Sequence, residues 1–299
     1  MKAYARNLQH TMPSDKNECK GNNKNLFISS KNFANIKNLS ELCDIINYLP
    51  SINMNIKSVI RSKIITLFFH LKQKTYNSRL KYIFENNHSD TIVIVFPGFP
   101  LGEKPLYNYY RILKKVPCDK LFLLDDFGYR GSYFLFENGK KLEELVLGLL
   151  QNKINKRHKR IITAGSSKGG TCAIYYGLKI CANDIYAGAC QYYIGSYLNT
   201  DAHRRIFQGM MGITAGVEQE NILDAVMPDC LAESSGKHSH IHLLYSTNEN
   251  TYDEHIIPLI RDLNKHHLHH SDIILDFSDH AEVGIYFGPF IKDELCNLK

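Results

Sequence analysis

No C-x-x-C pair occurs among the eight cysteines, so the chain reads as one from a reduced, cytoplasmic compartment and not as a disulfide framework. Long apolar runs are also missing. Stretches such as Ile92–Pro97 fall far short of a bilayer. The first 25 residues are polar and contain no apolar core, which predicts no secretory signal. Neither an internal repeat nor a long low-complexity tract appears. Charge of one sign is scarce as well. Thirty-six Lys and Arg against thirty Asp and Glu leave +6, too little to argue for nucleic acid as a partner. That mild excess suits an anionic polymer or a phosphate-bearing cosubstrate. Its densest patch, Lys153 to Arg160, reads as a solvated helix end. What remains is 299 residues, 44% hydrophobic, enough for one large core with a smaller attachment.

The chain divides by pattern into residues 1–77, a tail with a helical extension, and 78–299, a larger domain. Residues 1–35 are rich in Asn, Lys and Ser and show no period. Leu42, Ile45, Ile46 and Leu49 recur at helical spacing up to Pro50. Val59, Ile60, Ile64, Leu67, Phe68 and Leu71 predict a second amphipathic helix. From Leu80 onward strands and helices alternate. Strands are predicted over Leu80–Phe84, Thr91–Phe96, Lys120–Leu124, Arg160–Thr163, Ile185–Cys190, Ile241–Tyr245 and Ile273–Phe277. Helices are predicted over Leu106–Val116, Leu142–Ile154, Ile256–Leu268 and Val283–Leu295. This order implies a mostly parallel sheet covered on both faces. Residues 196–236 exceed a simple crossover and read as a cap insertion. Ligands in such folds bind beyond the carboxyl ends of the strands.

One stretch organises the chemistry. Arg160–Thr163 is followed by Ala164-Gly165-Ser166-Ser167-Lys168-Gly169-Gly170 and then by a helical pattern, which is the strand, sharp turn and helix of a nucleophile elbow, G-x-S-x-G. Ser167 is the expected nucleophile. A P-loop is excluded because Lys168 is followed by glycine. A serine nucleophile needs a base and an acid to hold it, in the chain order serine, acid, histidine. His280, directly after the last strand, is the expected base. Glu249 is the expected acid, with Asp253 as the alternative and Glu254 third. The N–H groups of Lys168 and Phe99 are the expected oxyanion donors, Gly98 permitting the turn after Thr91–Phe96. His266, His267, His269 and His270 fit no usual zinc spacing, and no metal is expected.

These residues resemble a known group. Gly165-Ser166-Ser167-Lys168-Gly169-Gly170, Tyr176-Gly177-Leu178, Gln191 and Leu198 resemble the bacterial capsular polysaccharide O-acetyltransferases of α/β-hydrolase fold. They are also similar to an acetyltransferase component of the accessory Sec system. Phe96–Pro100, Arg130-Gly131-Ser132-Tyr133, Tyr252 and His255 match further stretches, and the likeness spans residues 80–299. It implies transfer of acetyl from acetyl-coenzyme A to a sugar hydroxyl through an acetyl-serine, with a polysaccharide acceptor and peripheral association with capsule machinery. An oligomer is compatible with it. Gly98 and Arg130 are the expected cosubstrate contacts, with Lys168, Arg204 and Arg205 as further basic side chains for phosphate or anionic glycan. Two departures stand out. The group has an aspartate near the place of Glu249 and Asn250, and a proline where this chain has Cys190. A carbohydrate esterase with the same triad and a non-catalytic assembly factor are the alternative readings.

Overall fold

The computed structural model describes residues 64–100 and 102–298. The chain forms two compact units, Met1–Gln73 and Lys74–Lys299. In the first, residues 64–72 are helical and the Lys72 ammonium lies 5.0 Å from the Phe68 ring centre. The helix expected at 42–49 and the tail at 1–35 lie outside the described residues.

The second unit is built on an eight-stranded sheet. Its strands are β1 (Lys74–Tyr76), β2 (Leu80–Glu85), β3 (Thr91–Val95), β4 (Asp119–Leu124), β7 (Arg160–Ser166), β8 (Asp184–Gly188), β9 (His240–Ser246) and β10 (His270–Leu275). A separate two-stranded ribbon holds β5 (Phe136–Glu137) and β6 (Lys140–Lys141). The order across the large sheet is β1-β2-β4-β3-β7-β8-β9-β10, with β2 antiparallel to both its neighbours, β1 and β4, and the other pairs parallel. Strand alternation sends Ile92, Ile94 and Phe96 into the main apolar cluster and the buried Val93 and Val95 to the opposite face. Two-sided burial explains why these segments read as unbroken apolar runs rather than as alternating ones.

The helices are α1 (Glu143–Lys153), α2 (Lys168–Lys179), α3 (Ile194–Leu198), α4 (Arg204–Met211), α5 (Val217–Glu233), α6 (Ile257–Lys265) and α7 (Val283–Cys296). Helix α2 is buried from Lys168 through Leu178, and contributes Cys172, Ala173, Ile174 and Tyr176 to the main cluster. On the other face α7 brings Phe290 against Tyr186, 5.9 Å between ring centres. Helices α3, α4 and α5 fill the connection between β8 and β9, where the insertion was expected.

One predicted helix is absent. Residues 108–115 form a succession of turns, and 106, 107 and 116 are irregular. Tyr109 has a left-handed backbone (φ 60°), which interrupts the helical hydrogen-bond ladder. The break is held by side chains: the Tyr109 hydroxyl meets Ser166 Oγ at 2.5 Å and Tyr110 donates to Glu85 at 2.6 Å. The last strand is also displaced, starting at His270 and ending at Leu275.

Candidate active site

Strand β7 ends at Ser166 and α2 begins at Lys168, so Ser167 takes the whole reversal, at φ 53° and ψ −128°. Glycine serves close approach here. A Cβ on Gly165 would sit 2.2 Å from the Gly169 carbonyl oxygen, and one on Gly169 would sit 2.4 Å from that of Phe96. The strained positive φ falls on Ser167 itself, which is where elbow strain presents a side chain. Its N–H donates to the Gly188 carbonyl at 2.7 Å, pinning the turn to the end of β8.

Three distant segments converge on this side chain. His280, in a single 3-10 turn (His280–Glu282) leading into α7, places Nε2 2.8 Å from Ser167 Oγ. Its Nδ1 lies 3.1 Å from Glu249 Oε2. Glu249 is only 4% exposed, and Thr251 Oγ1 donates to its other oxygen at 2.6 Å. A Nδ1–H donated to the carboxylate leaves Nε2 free to accept the serine proton, the arrangement a proton relay requires. Asp253, the alternative acid, is exposed on an irregular helical turn, Tyr252–Ile256. Glu254 is exposed beside it. Among the described residues, the carboxylate against His280 is that of Glu249, because the turn after β9 points it inward.

A fourth contact joins them. Gln191, three residues past β8, donates from Nε2 to Ser167 Oγ at 3.1 Å. Its Oε1 accepts from the buried Tyr133 hydroxyl at 3.3 Å, which orients the amide. Its backbone exchanges two bonds with Thr171 Oγ1, at 2.9 and 2.8 Å.

Lys168 is the first residue of α2, where N–H groups have no intrahelical acceptor. Gly98, Phe99 and Pro100 line a cavity of about 340 Å³ over Ser167, together with Tyr109, Arg130, Tyr197, His203 and His280. The backbone donors of Lys168 and Phe99 thus belong to the two segments that flank the serine.

The side chains expected to meet phosphate part ways. Lys168 is corrected: its ammonium is fully buried and pairs with Asp125 at 2.5 Å, between the rings of Phe99 and Phe134. Asp125 is held in turn by the N–H and Oγ of Ser132. Gly131, at φ 108°, leaves no room for a Cβ, which would lie 2.8 Å from that carboxylate. The Arg130–Ser132 stretch is therefore the wrapping of a buried ion pair. Arg204 is tied to Asn199 and to the Ala215 carbonyl, and Arg205 stacks 3.8 Å over Tyr129. Arg130 alone of the four lines the cavity over Ser167. It donates to the Pro100 carbonyl, and its Nε is buried without a protein partner.

Burial sets the ionisation of the surroundings. It pushes the Tyr109 phenol up to about 12 and the His203 imidazole below its usual range. It also takes His255 down to about 4, with the nearby His280 adding to the effect. Asp125, Tyr109, Tyr197, His203 and the contact role of Gln191 were not read from the residues. Asp125 and Gln191 sit just past the carboxyl ends of β4 and β8, a position that could have flagged them. Tyr109 and His203 come from turns and Tyr197 from the short helix α3, and they gave no signal.

Of the histidines at 266–270, His270 faces Asp272 and Asn264 at 3.3 Å each. Donor atoms of Asp184, His240 and His242 do lie within 4.8 Å of one another, at the amino ends of β8 and β9. Arg160 already binds that carboxylate at 2.8 Å, and His242 at 3.2 Å.

No family model and no curated protein sequence matches the chain. Solved structures do. The capsule O-acetyltransferase of Neisseria meningitidis serogroup A superposes with a TM-score of 0.61 at 17% identity, over 75% of this chain and 94% of that one. A histidine-to-alanine mutant of it, solved in complex with CoA, gives 0.60 at the same identity and coverage. The glycosylation-associated protein complex from Streptococcus agalactiae gives 0.59 at 17% identity, over 76% of this chain and 46% of that one. A fluorophosphonate-binding serine hydrolase of Staphylococcus aureus gives 0.53 at 13% identity, over 72% and 90%. At these identities the likeness speaks to architecture, and with the sheet order and the elbow it establishes that residues 74–298 adopt an α/β-hydrolase-like fold.

Proposed function

We propose that the protein is an O-acetyltransferase that moves acetyl from acetyl-coenzyme A to a hydroxyl of a capsular or other surface polysaccharide. The observation that carries this is the 2.8 Å contact of Ser167 Oγ with His280 Nε2, with Glu249 on Nδ1, at the floor of a cavity bordered by Arg130. Ser167 attacks the thioester carbonyl as its proton passes to His280. The N–H groups of Lys168 and Phe99 hold the oxyanion, each contributing roughly 3 kcal/mol to the transition state. Collapse expels the thiolate, which takes the proton from His280, and leaves acetyl on Ser167 Oγ. A sugar hydroxyl then attacks the ester carbonyl and gives its proton to His280, which returns it to Ser167. Gln191 steadies Oγ through both steps. The unpartnered Arg130 Nε fits a cosubstrate rich in phosphate and carbonyl oxygens.

Incubation with acetyl-coenzyme A is expected to add one acetyl mass to the peptide carrying Ser167, and a Ser167→Ala protein to show none. An unmodified Ser167 peptide in the wild type would sink the reading. The likeness to a serine hydrolase supports a second reading, in which water replaces the sugar and the protein is a carbohydrate esterase. Release of acetate from an acetylated polymer without use of the thioester favours that alternative.

A further inference from the structure

A second cavity, of about 540 Å³, adjoins the one over Ser167. Tyr197 and His203 line both. Their rings stack at 4.7 Å, His203 lies 6.4 Å from Phe99, and Tyr197 meets His255 edge-on at 5.6 Å. A row of rings therefore runs from the oxyanion turn to the far wall. The volume is within the range of small-molecule sites, roughly 300–1,000 Å³.

His255 is the unusual member of that wall. It is 2% exposed. Its Nδ1 accepts the backbone N–H groups of Tyr192 and Tyr193, at 3.4 Å each. A buried ring that accepts at Nδ1 and stays neutral carries its one proton on Nε2. That Nε2 is buried and has no protein partner. Native structures keep few such orphans, and one on a ring that lines a cavity marks where an acceptor atom, reached by a small shift of that ring, belongs.

The lining says what kind of atom. Asn250, Thr200 and Ser196 add neutral polar tips, Glu254 adds the one carboxylate, and no lysine or arginine lines this cavity. A phosphate or another anion would find no counter-charge here, whereas Arg130 stands over the neighbouring one. Aromatic faces beside hydroxyl and amide groups match a pyranose, whose C–H face stacks while its oxygens hydrogen-bond.

We infer that this second cavity is the acceptor subsite, that it seats a neutral pyranose ring, and that His255 Nε2–H donates to an oxygen of that sugar. The inference rests on the acyl-transfer reading for its role, though not for the binding itself. The coenzyme occupies the Arg130 side and the sugar the His255 side, with Tyr197 and His203 between them. A hydroxyl of the seated sugar then attacks the acetyl-Ser167 carbonyl; its proton moves to His280 and on to the departing Ser167 oxygen.

Two measurements test it. The first titrates the full-length, unacylated protein with neutral methyl hexopyranosides (glucoside, galactoside, mannoside and N-acetylglucosaminide) and follows the His255 imidazole by nitrogen-15 NMR. At least one glycoside is expected to shift the Nε2 signal. No shift from any of them overturns the subsite, whether or not Ser167 can be acetylated. The second measures acetyl transfer from acetyl-coenzyme A to the glycoside that binds. His255→Asn keeps an acceptor near the place of Nδ1 and loses the distal donor; His255→Gln keeps a donor near Nε2 and loses the acceptor. The asparagine variant is expected to raise the glycoside KM about tenfold or more, the loss of one hydrogen bond to substrate, and the glutamine variant to restore much of it. The opposite pattern, with asparagine near normal and glutamine impaired, would make His255 only a brace for Tyr192 and Tyr193 and overturn the proposal. Mass analysis of Ser167 runs in parallel. If acetyl-Ser167 never forms, the acyl-transfer reading fails by itself while the titration still decides whether the cavity takes a sugar.

Discussion

Ser167 Oγ is touched by two nitrogens of different character. His280 Nε2 lies 2.8 Å from it, while the Gln191 amide donates to the same oxygen and is fixed by Tyr133. Because Glu249 is buried against Nδ1, replacing it by glutamine keeps the shape but removes the charge that selects the tautomer. Glu249→Gln is expected to lower the rate of Ser167 acetylation by roughly 10³–10⁴-fold, as loss of the acid does in comparable triads. Asp253→Asn, an exposed change on the turn, is expected to stay within about twofold of the wild type. Single-turnover acetylation of the two variants separates them. Equal losses would mean that the acid had been misassigned.

At the scale of elements, the elbow is where strand, helix and loop meet without side chains between them. Gly165→Ala drives a methyl into the Gly169 carbonyl, which belongs to the helix itself, so the variant is expected to be insoluble or strongly destabilised. Beneath the elbow the Lys168–Asp125 pair joins the start of α2 to the end of β4, entirely out of water. Removing one partner leaves the other charge buried and alone. Lys168→Met or Asp125→Leu is expected to cost about 3–5 kcal/mol in urea unfolding. The double substitution is expected to cost much less than the sum, since neither charge is then stranded. Additive losses would show that packing, and not the ion pair, is what each residue contributes.

For the whole molecule, acid sensitivity follows from the buried His255. The free imidazole titrates near 6.5, and His255 in the fold near 4. Between those values the unfolded chain binds the proton and the folded one does not, so stability is complete above pH 6.5 and falls as pH drops toward 4. The full shift corresponds to about 3 kcal/mol. His203 and His240 are lowered by burial and act in the same direction below pH 6.5. Hydrogen bonds hold Asp119 and Asp184 below their ordinary values, so their contribution is lost only below about pH 3.8. Urea titrations at pH 7, 5.5 and 4.5 are expected to show the decline, and the His255→Asn protein a shallower one. An unchanged slope in the variant would assign the acid sensitivity to other groups. No helix among the described residues is long and apolar enough to cross a membrane.

Local pattern alone was enough for the parallel sheet, because strands such as Thr91–Val95 and Asp119–Leu124 are buried on both faces and their apolar runs are unbroken. The elbow was equally legible, since backbone-on-backbone packing admits only glycine at Gly165 and Gly169. The order of serine, acid and histidine followed from the strand ends. Distance in space was not in the sequence. Tertiary structure set Glu249 against His280 and left Asp253 exposed, since burial depends on which way a turn after β9 faces. It turned the Lys168 ammonium inward to Asp125, and it broke the helix expected at Leu106–Val116 by fixing Tyr109 in the left-handed region. Above all it left the buried His255 Nε2 without a protein partner, on a ring that lines the cavity next to the one over Ser167, and the downward shift of that imidazole follows from burial and neighbours that no single stretch of chain contains.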